Sequence, residues 1–289
     1  MSKYKYLLLI NMSVFLFGLA GLFAKWIHIP ALGITFGRVF FSSITLIIFS
    51  LIKKENIRVK KNDFFLLVIS GCILALHWWS FLYSIQISTV AIGTITFSSF
   101  PLFITIINGI RNRKWNIKEI LISLIIILGV IVTVPEISLD NTMFIGILIG
   151  ILSALLYAIL TIMNEYLAKH YSSHIITLYE QSSAAFLLLP CLLLVEVKPT
   201  LNDILLLVFL GVITTALAHT MFVSSLKKVS SYIAGIISSM ETVYSILLAA
   251  FFLKEYPSVR EIIGAFIIVG VVSIIQIIKG KGESYGESI

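Results

Sequence analysis

Five side chains stand out because apolar sequence surrounds them. Arg38, Glu180 and Glu241 carry charge, and His77 and His219 can acquire it. In hydrocarbon, a charge at a helix centre costs about 2.5–3.5 kcal/mol even on a lenient scale. Such residues therefore line a cavity, gate it, or hold helices together as a static pair. Arg38 can alternatively snorkel toward the membrane surface. An ionised Glu241 would bind a substrate ammonium, whereas a desolvated, protonated one would load and release a proton. A histidine changes charge near neutral pH, and a neutral hydrogen-bonded helix contact is the alternative for both His77 and His219. No third ligand at fixed spacing accompanies them, so no metal site is expected.

Aromatic residues share these segments. Trp78, Trp79, Tyr83, Tyr157, Tyr179 and Tyr244 lie in or near them. Tyr157, Tyr179 and Tyr244 are deep, and each brings a hydroxyl that needs a partner. Helix neighbours point about 100° apart, so Trp78 and Trp79 cannot share a face, and Trp78 is taken as the cavity-lining one. The substrate-binding set expected is Arg38, His77, Trp78, Tyr157, Tyr179, Glu180, His219, Glu241 and Tyr244. Trp115 and Tyr232 read as interface-belt residues.

The elements carrying these residues are membrane helices. Of 289 residues, 59% are hydrophobic and 12% charged, against about 45–50% and 25% in a soluble domain. A spanning helix needs about 20 apolar residues. Ten runs qualify, near 6–26, 31–52, 64–84, 90–110, 117–134, 143–166, 173–195, 203–226, 231–253 and 259–278. Charged or turn-forming segments separate them, apart from Ser84–Thr89, where a tight turn must divide an otherwise overlong helix. Barrel strands would instead alternate over about 10 residues. The first run exceeds a signal-peptide core and is expected to stay in place as a helix. Cys72 and Cys191 lie inside apolar runs, so no disulfide framework or zinc ribbon is expected.

The +7 net charge is explained by orientation and does not call for a nucleic-acid partner. With the N-terminus cytoplasmic, sixteen Lys and Arg fall on inside segments and four on outside ones, with Arg38 remaining in its span. That asymmetry predicts N-in, C-in and ten crossings.

The chain also matches itself. At an offset of 140, Asn62-Asp63 meets Asn202-Asp203, Gly71 meets Gly211, and Ser98-Ser99 meets Ser238-Ser239. At 142, Arg38 meets Glu180 and His77 meets His219. Five spans per half make the second copy enter from the opposite side, so the fold expected is all-α integral membrane, two inverted five-helix repeats over 1–139 and 140–289. Transporters with this plan rock two halves about a midplane site. Gly146 and Gly150, beside Ser153 and Ala154, suit close intramolecular packing. Pro101 and Pro190 interrupt backbone bonding within spans.

Phe17-Gly18…Lys25, the early Arg38, His77-Trp78-Trp79…Ser88-Thr89-Val90-Ala91…Ser99-Phe100-Pro101, and Glu241…Leu253-Lys254-Glu255…Gly264…Gly270 together resemble the EamA-type transporters of the drug/metabolite transporter superfamily. The resemblance covers nearly the whole chain. It implies export or exchange of small metabolites, often amino acids, across a bacterial cytoplasmic membrane. Departures include Thr242, where the family commonly has Pro, and Lys114-Trp115, where an acidic partner to Glu255 is missing. No Walker-type loop is present, so transport is expected to run on a substrate, proton or counter-substrate gradient. Neither a cofactor nor enzymatic activity is expected, and the chain should be a monomer or weak homo-oligomer in lipid. A passive channel or facilitator is the alternative, with a membrane-embedded enzyme behind it.

Overall fold

The computed structural model describes residues 3–133 and 142–282. The expected loop from Pro135 and the boundary between halves at 139/140 lie outside the described residues. Within them the chain is helical: α1 Lys3–Trp26, α2 Ala31–Lys53, α3 Lys61–Ile87, α4 Val90–Phe97, α5 Phe100–Asn112, α6 Ile117–Thr133, α7 Thr142–Leu167, α8 Ser173–Cys191, α9 Leu201–Phe209, α10 Ala218–Ser225, α11 Ser231–Ser238, α12 Met240–Phe252 and α13 Val259–Gly282. A π-helical stretch, Leu210–Leu217, joins α9 to α10. Among the described residues, seven helical segments are long and apolar enough to cross a membrane: α1, α2, α3, α4–α5 together, α7, α9–α10 and α11–α12. The other three expected spans are helical too, as α6, α8 and α13. Large apolar side chains such as Leu51, Phe186 and Phe251 stand outward on the surface, a coat that suits lipid.

Local chemistry explains where the helices start and stop. Thr89, Ser172 and Ser230 cap α4, α8 and α11 through their hydroxyls, and Thr200 with Asp203 closes a capping box on α9. Lys54, Arg113 and Lys254 take left-handed backbone just beyond α2, α5 and α12. Their charge at a helix C-terminus complements the dipole. The turn expected between Ser84 and Thr89 is tighter than that, since α3 continues to Ile87 and only Ser88 and Thr89 separate it from α4.

Two expected single helices are broken. The run 90–110 divides at Ser98–Ser99, and 231–253 divides at Ser239. In the first, Pro101 sits at the start of α5 and supplies no amide proton, so the helix restarts instead of continuing. The second has no proline. Its Thr242, two residues into α12, donates 2.9 Å to the Thr94 carbonyl and accepts from the Ser98 hydroxyl. The two breaks are thereby fastened to each other, a role a proline at 242 could not fill.

α3 lies at the centre, packed on α7 and α8; α2 also packs on α8, and α1 on α10 and α12. Glycines set the closest approaches. A Cβ on Gly71 would meet the Glu180 carbonyl oxygen at 2.6 Å, and one on Gly211 would meet the Arg38 carbonyl oxygen at 3.0 Å. Gly146 and Gly150 face Ser88 and Thr96, so this G-x-x-x-G serves packing inside the chain. Side chains close both ends of the bundle. At one, the Tyr171 hydroxyl donates 2.6 Å to Asp63 and Glu165 accepts the Ser231 amide at 2.9 Å. At the other, Asp203 accepts the His28 amide at 3.1 Å and Lys25 donates 2.8 Å to the Ser88 carbonyl. The hydrogen bond to Asp63 holds the Tyr171 phenol above its ordinary pKa.

Gly71→Val should therefore destabilise the bundle by about 1–3 kcal/mol through overpacking. Gly270→Val, with open space around it, should leave thermal unfolding in detergent at the wild-type midpoint. Equal midpoints for both variants would contradict this packing.

Candidate functional site

Arg38 is buried in the third turn of α2 at 1% exposure. Its guanidinium lies 3.8 Å from the centroid of the Trp78 ring on α3, and its Nε donates 3.0 Å to Thr215 Oγ1. A guanidinium over an indole face gains cation–π attraction, stronger where water is excluded. Thr215 belongs to the π-helical stretch and returns its own proton to the Leu210 carbonyl, five residues back, at 2.8 Å. The widened turn brings Thr215 to Arg38, and π-turns often mark functional positions.

His77, one residue before Trp78, points elsewhere. Its Nδ1 is 2.8 Å from Ser153 Oγ of α7, and its ring stacks on Tyr157 at 4.5 Å between centroids. Tyr157 also packs on Phe97, Phe100 and Phe222. Its hydroxyl is buried and has no hydrogen-bond partner among the described residues. Glu241 enters from the first turn of α12, where the helix N-terminus favours a carboxylate. It lies at the restart of a broken helix, not in the middle of an unbroken one.

Together these residues enclose a cavity lined by Phe17, Ala20, Arg38, His77, Trp78, Phe81, Phe97, Tyr157 and Glu241. It measures about 20 Å³, the room of roughly one water. Arg38 and Glu241 both face it, and no ion pair joins them. A cation and a carboxylate thus confront each other across a narrow, aromatic-walled space.

Five of the nine expected residues meet there: Arg38, His77, Trp78, Tyr157 and Glu241. The other four do not line it. Tyr179 donates 3.0 Å to the Ile57 carbonyl near the end of the bundle, and Tyr244 packs against Phe15 and over Gly18. Glu180 and His219 pair with each other, Oε2 to Nε2 at 2.9 Å, with both side chains 0% exposed. That pair sits behind Trp78, whose ring meets His219 edge-on at 5.6 Å. Sequence reasoning did not single out Phe17, Ala20, Phe81 and Phe97 as cavity walls, nor Thr215 and Ser153 as the groups holding Arg38 and His77. Hydroxyls repeating near the charged residues were the available signal. Among the described residues no three His, Cys, Asp or Glu gather as a metal cage, and Cys72 and Cys191 are free.

Residues 4–134 and again 144–277 match the EamA-like transporter family. The chain belongs to the EamA-like transporter family. An uncharacterized transporter of Archaeoglobus fulgidus is 25% identical over 264 residues, covering 91% of this chain and 93% of that one. A crystal structure at 17% identity superimposes with a TM-score of 0.76 over 96% of this chain and 99% of its own, which shows a shared fold. This EamA member is thus a multi-pass integral membrane protein whose family and relative are transporters.

Thr215→Val removes the acceptor that Arg38 uses and should cost about 1–3 kcal/mol, the penalty for an orphaned buried donor. Thr45→Val, whose hydroxyl only returns to its own helix at Phe41, should unfold thermally like wild type. A midpoint for Thr215→Val within error of Thr45→Val would contradict the anchoring role.

Proposed function

We propose that this EamA protein is a secondary active transporter for a small zwitterion, an amino acid or a close relative, exported or exchanged across the cytoplasmic membrane. One observation carries the reading: Arg38 and Glu241 face a single buried, aromatic-walled cavity without pairing. A substrate carboxylate fits the guanidinium and its ammonium fits the carboxylate, while His77, Trp78 and Tyr157 supply stacking surface and a free hydroxyl. A zwitterion adds no net charge to a site where net charge is costly.

The narrowness of the cavity supports alternating access, since a space of about 20 Å³ must widen to admit any metabolite. Thr161 and Asn164 lie one and two turns beyond Tyr157 on the same face of α7, and their buried polar side-chain atoms have no partner among the described residues. Unsatisfied polar groups cost about 1–3 kcal/mol each, which a second conformation with water along this face would relieve.

We further infer ten crossings, N-in and C-in, in two inverted five-helix repeats. The family match occurring twice supports this. So do the helix breaks at Ser98–Ser99 and Ser239, about 140 residues apart, and the two glycines seated against the carbonyls of Glu180 and Arg38. The opposed end closures fit the same scheme, Asp63 with Tyr171 at one face and Asp203 with His28 at the other.

Proteoliposomes preloaded with a mixture of the proteinogenic amino acids should accumulate the labelled mixture by saturable counterflow. Arg38→Gln and Glu241→Gln should each slow it at least about tenfold, the loss of one charge-assisted contact. Absence of counterflow for every amino acid overturns the substrate class, and voltage-driven current without counterflow favours a channel.

A further inference from the structure

Among the described residues, the most deeply buried ion-pairing couple is not in the cavity wall. Glu180 and His219 share one hydrogen bond of 2.9 Å. The remaining atom of each, Glu180 Oε1 and His219 Nδ1, has no partner among the described residues, and neither amide atom of neighbouring Gln181 has one. Four orphaned polar atoms beside one ion-pairing couple need an explanation. The elements around the pair bring further charge to it. Arg38 comes from α2, His77 from α3, Tyr157 from α7 and Glu241 from α12, and these groups interact electrostatically with the pair or with one another. The cluster therefore holds one permanent cation, Arg38, against two carboxylates. With both carboxylates ionised and both histidines neutral, it is one positive charge short of balance, in an interior where imbalance is expensive. A zwitterionic substrate cannot supply that charge; a single proton can.

A line of polar groups leads from the pair to one end of the bundle. His174, Thr177 and Gln181 stand on one face of α8 at helical spacings of three and four. His174 Nε2 is 2.6 Å from Ser50 Oγ and 3.8 Å from Glu55 Oε2, and the Glu55 side chain is 30% exposed. One turn inward, Thr177 Oγ1 lies 2.9 Å from Thr220 Oγ1, and Thr220 directly follows His219. Another turn inward are Gln181 and Glu180. Each step is one helical turn, about 5 Å, a gap that one bridging water would span.

We propose that Glu180 and His219 form a proton-binding site, separate from the substrate cavity, that exchanges its proton with the face bearing the α2–α3 and α7–α8 loops along the His174–Thr177–Gln181 face of α8. Loading takes one proton from water onto His219 Nδ1 or Glu180 Oε1, and unloading returns it to water; no other bond changes. Trp78 links this site to the substrate site, touching Arg38 on its face and His219 at its edge. A proton arriving at the pair thus changes the field on the group that would hold the substrate carboxylate. The inference rests on the secondary-transport reading and makes the proton its coupling ion.

The test has two parts. First, detergent-solubilised full-length protein is titrated in weakly buffered solution with an indicator dye. Wild type should bind one proton more than Glu180→Gln across the neutral range, with no added substrate. Second, amino-acid-loaded proteoliposomes with a trapped pH dye should show proton movement coupled to flux of the mixed amino acids. Glu180→Gln should abolish that movement, lower accumulation driven by a pH gradient at least about tenfold, and make residual counterflow independent of pH. His219→Gln, which keeps a donor for Glu180, should do the same and serves if Glu180→Gln fails to fold. Identical proton counts in wild type and the variants, or amino-acid flux in wild type without proton movement, overturns the proposal. If no amino acid moves at all, the substrate reading fails and the titration alone decides the proton site.

Discussion

A guanidinium sealed inside an apolar bundle is the constraint on which the site depends. Arg38 can remain there only if its charge and its donors are met, because an ion taken out of water costs several kcal/mol even after relaxation. Trp78 offers a ring face, Thr215 an acceptor, and Glu241 an opposite charge across the cavity. Each partner in turn constrains its own element. Thr215 reaches Arg38 from a π-helical stretch, and Glu241 stands in the first turn of a restarted helix. Irregular helix geometry is concentrated where the charges are, and Gly211, at the start of the π stretch, lets that backbone come against the Arg38 carbonyl.

The same constraint explains which parts of the site were legible in the sequence. Arg38, Glu241 and His77 violate an apolar composition, and such a violation is visible from one sequence. Tyr179 and Tyr244 looked equivalent to Tyr157 because all three lie within apolar runs. Only the helix faces separate them. Tyr179 turns toward Ile57 at the end of the bundle, and Tyr244 turns toward Phe15. Hydrophobic periodicity could not make that distinction, since a helix buried on several sides has little amphipathic contrast. The helix breaks were half-legible. Pro101 announces the first, whereas the second has no proline and depends on Thr242 meeting Thr94 and Ser98 from a distant part of the chain. Glu180 and His219 stand out in the sequence as polar residues within apolar runs, but their pairing with each other is a tertiary fact that no local spacing contains.

The family assignment and the geometry answer different questions. Membership in the EamA-like family says that the chain transports. If the cavity holds the cargo, as proposed, its one cation, one carboxylate and stacked aromatic walls set the chemistry that the cargo would need. In the proposed inverted arrangement, closures at the two ends use unlike partners at related positions. Lys25 donates to the carbonyl of Ser88, while Glu165 accepts the amide of Ser231. Such unequal closures would give the two faces different requirements for opening.

The central claim is that one cavity, between Arg38 and Glu241, serves both sides of the membrane in turn. Ala20 lines that cavity at 3% exposure, and a cysteine there reports its access directly. In a variant lacking Cys72 and Cys191, Ala20→Cys in oriented proteoliposomes is treated with a membrane-impermeant maleimide from outside or from within the vesicles. Labelling from each side, slowed when the amino-acid mixture is present, is the predicted result. Labelling from one side alone under every condition, or from neither, would contradict alternating access to this site.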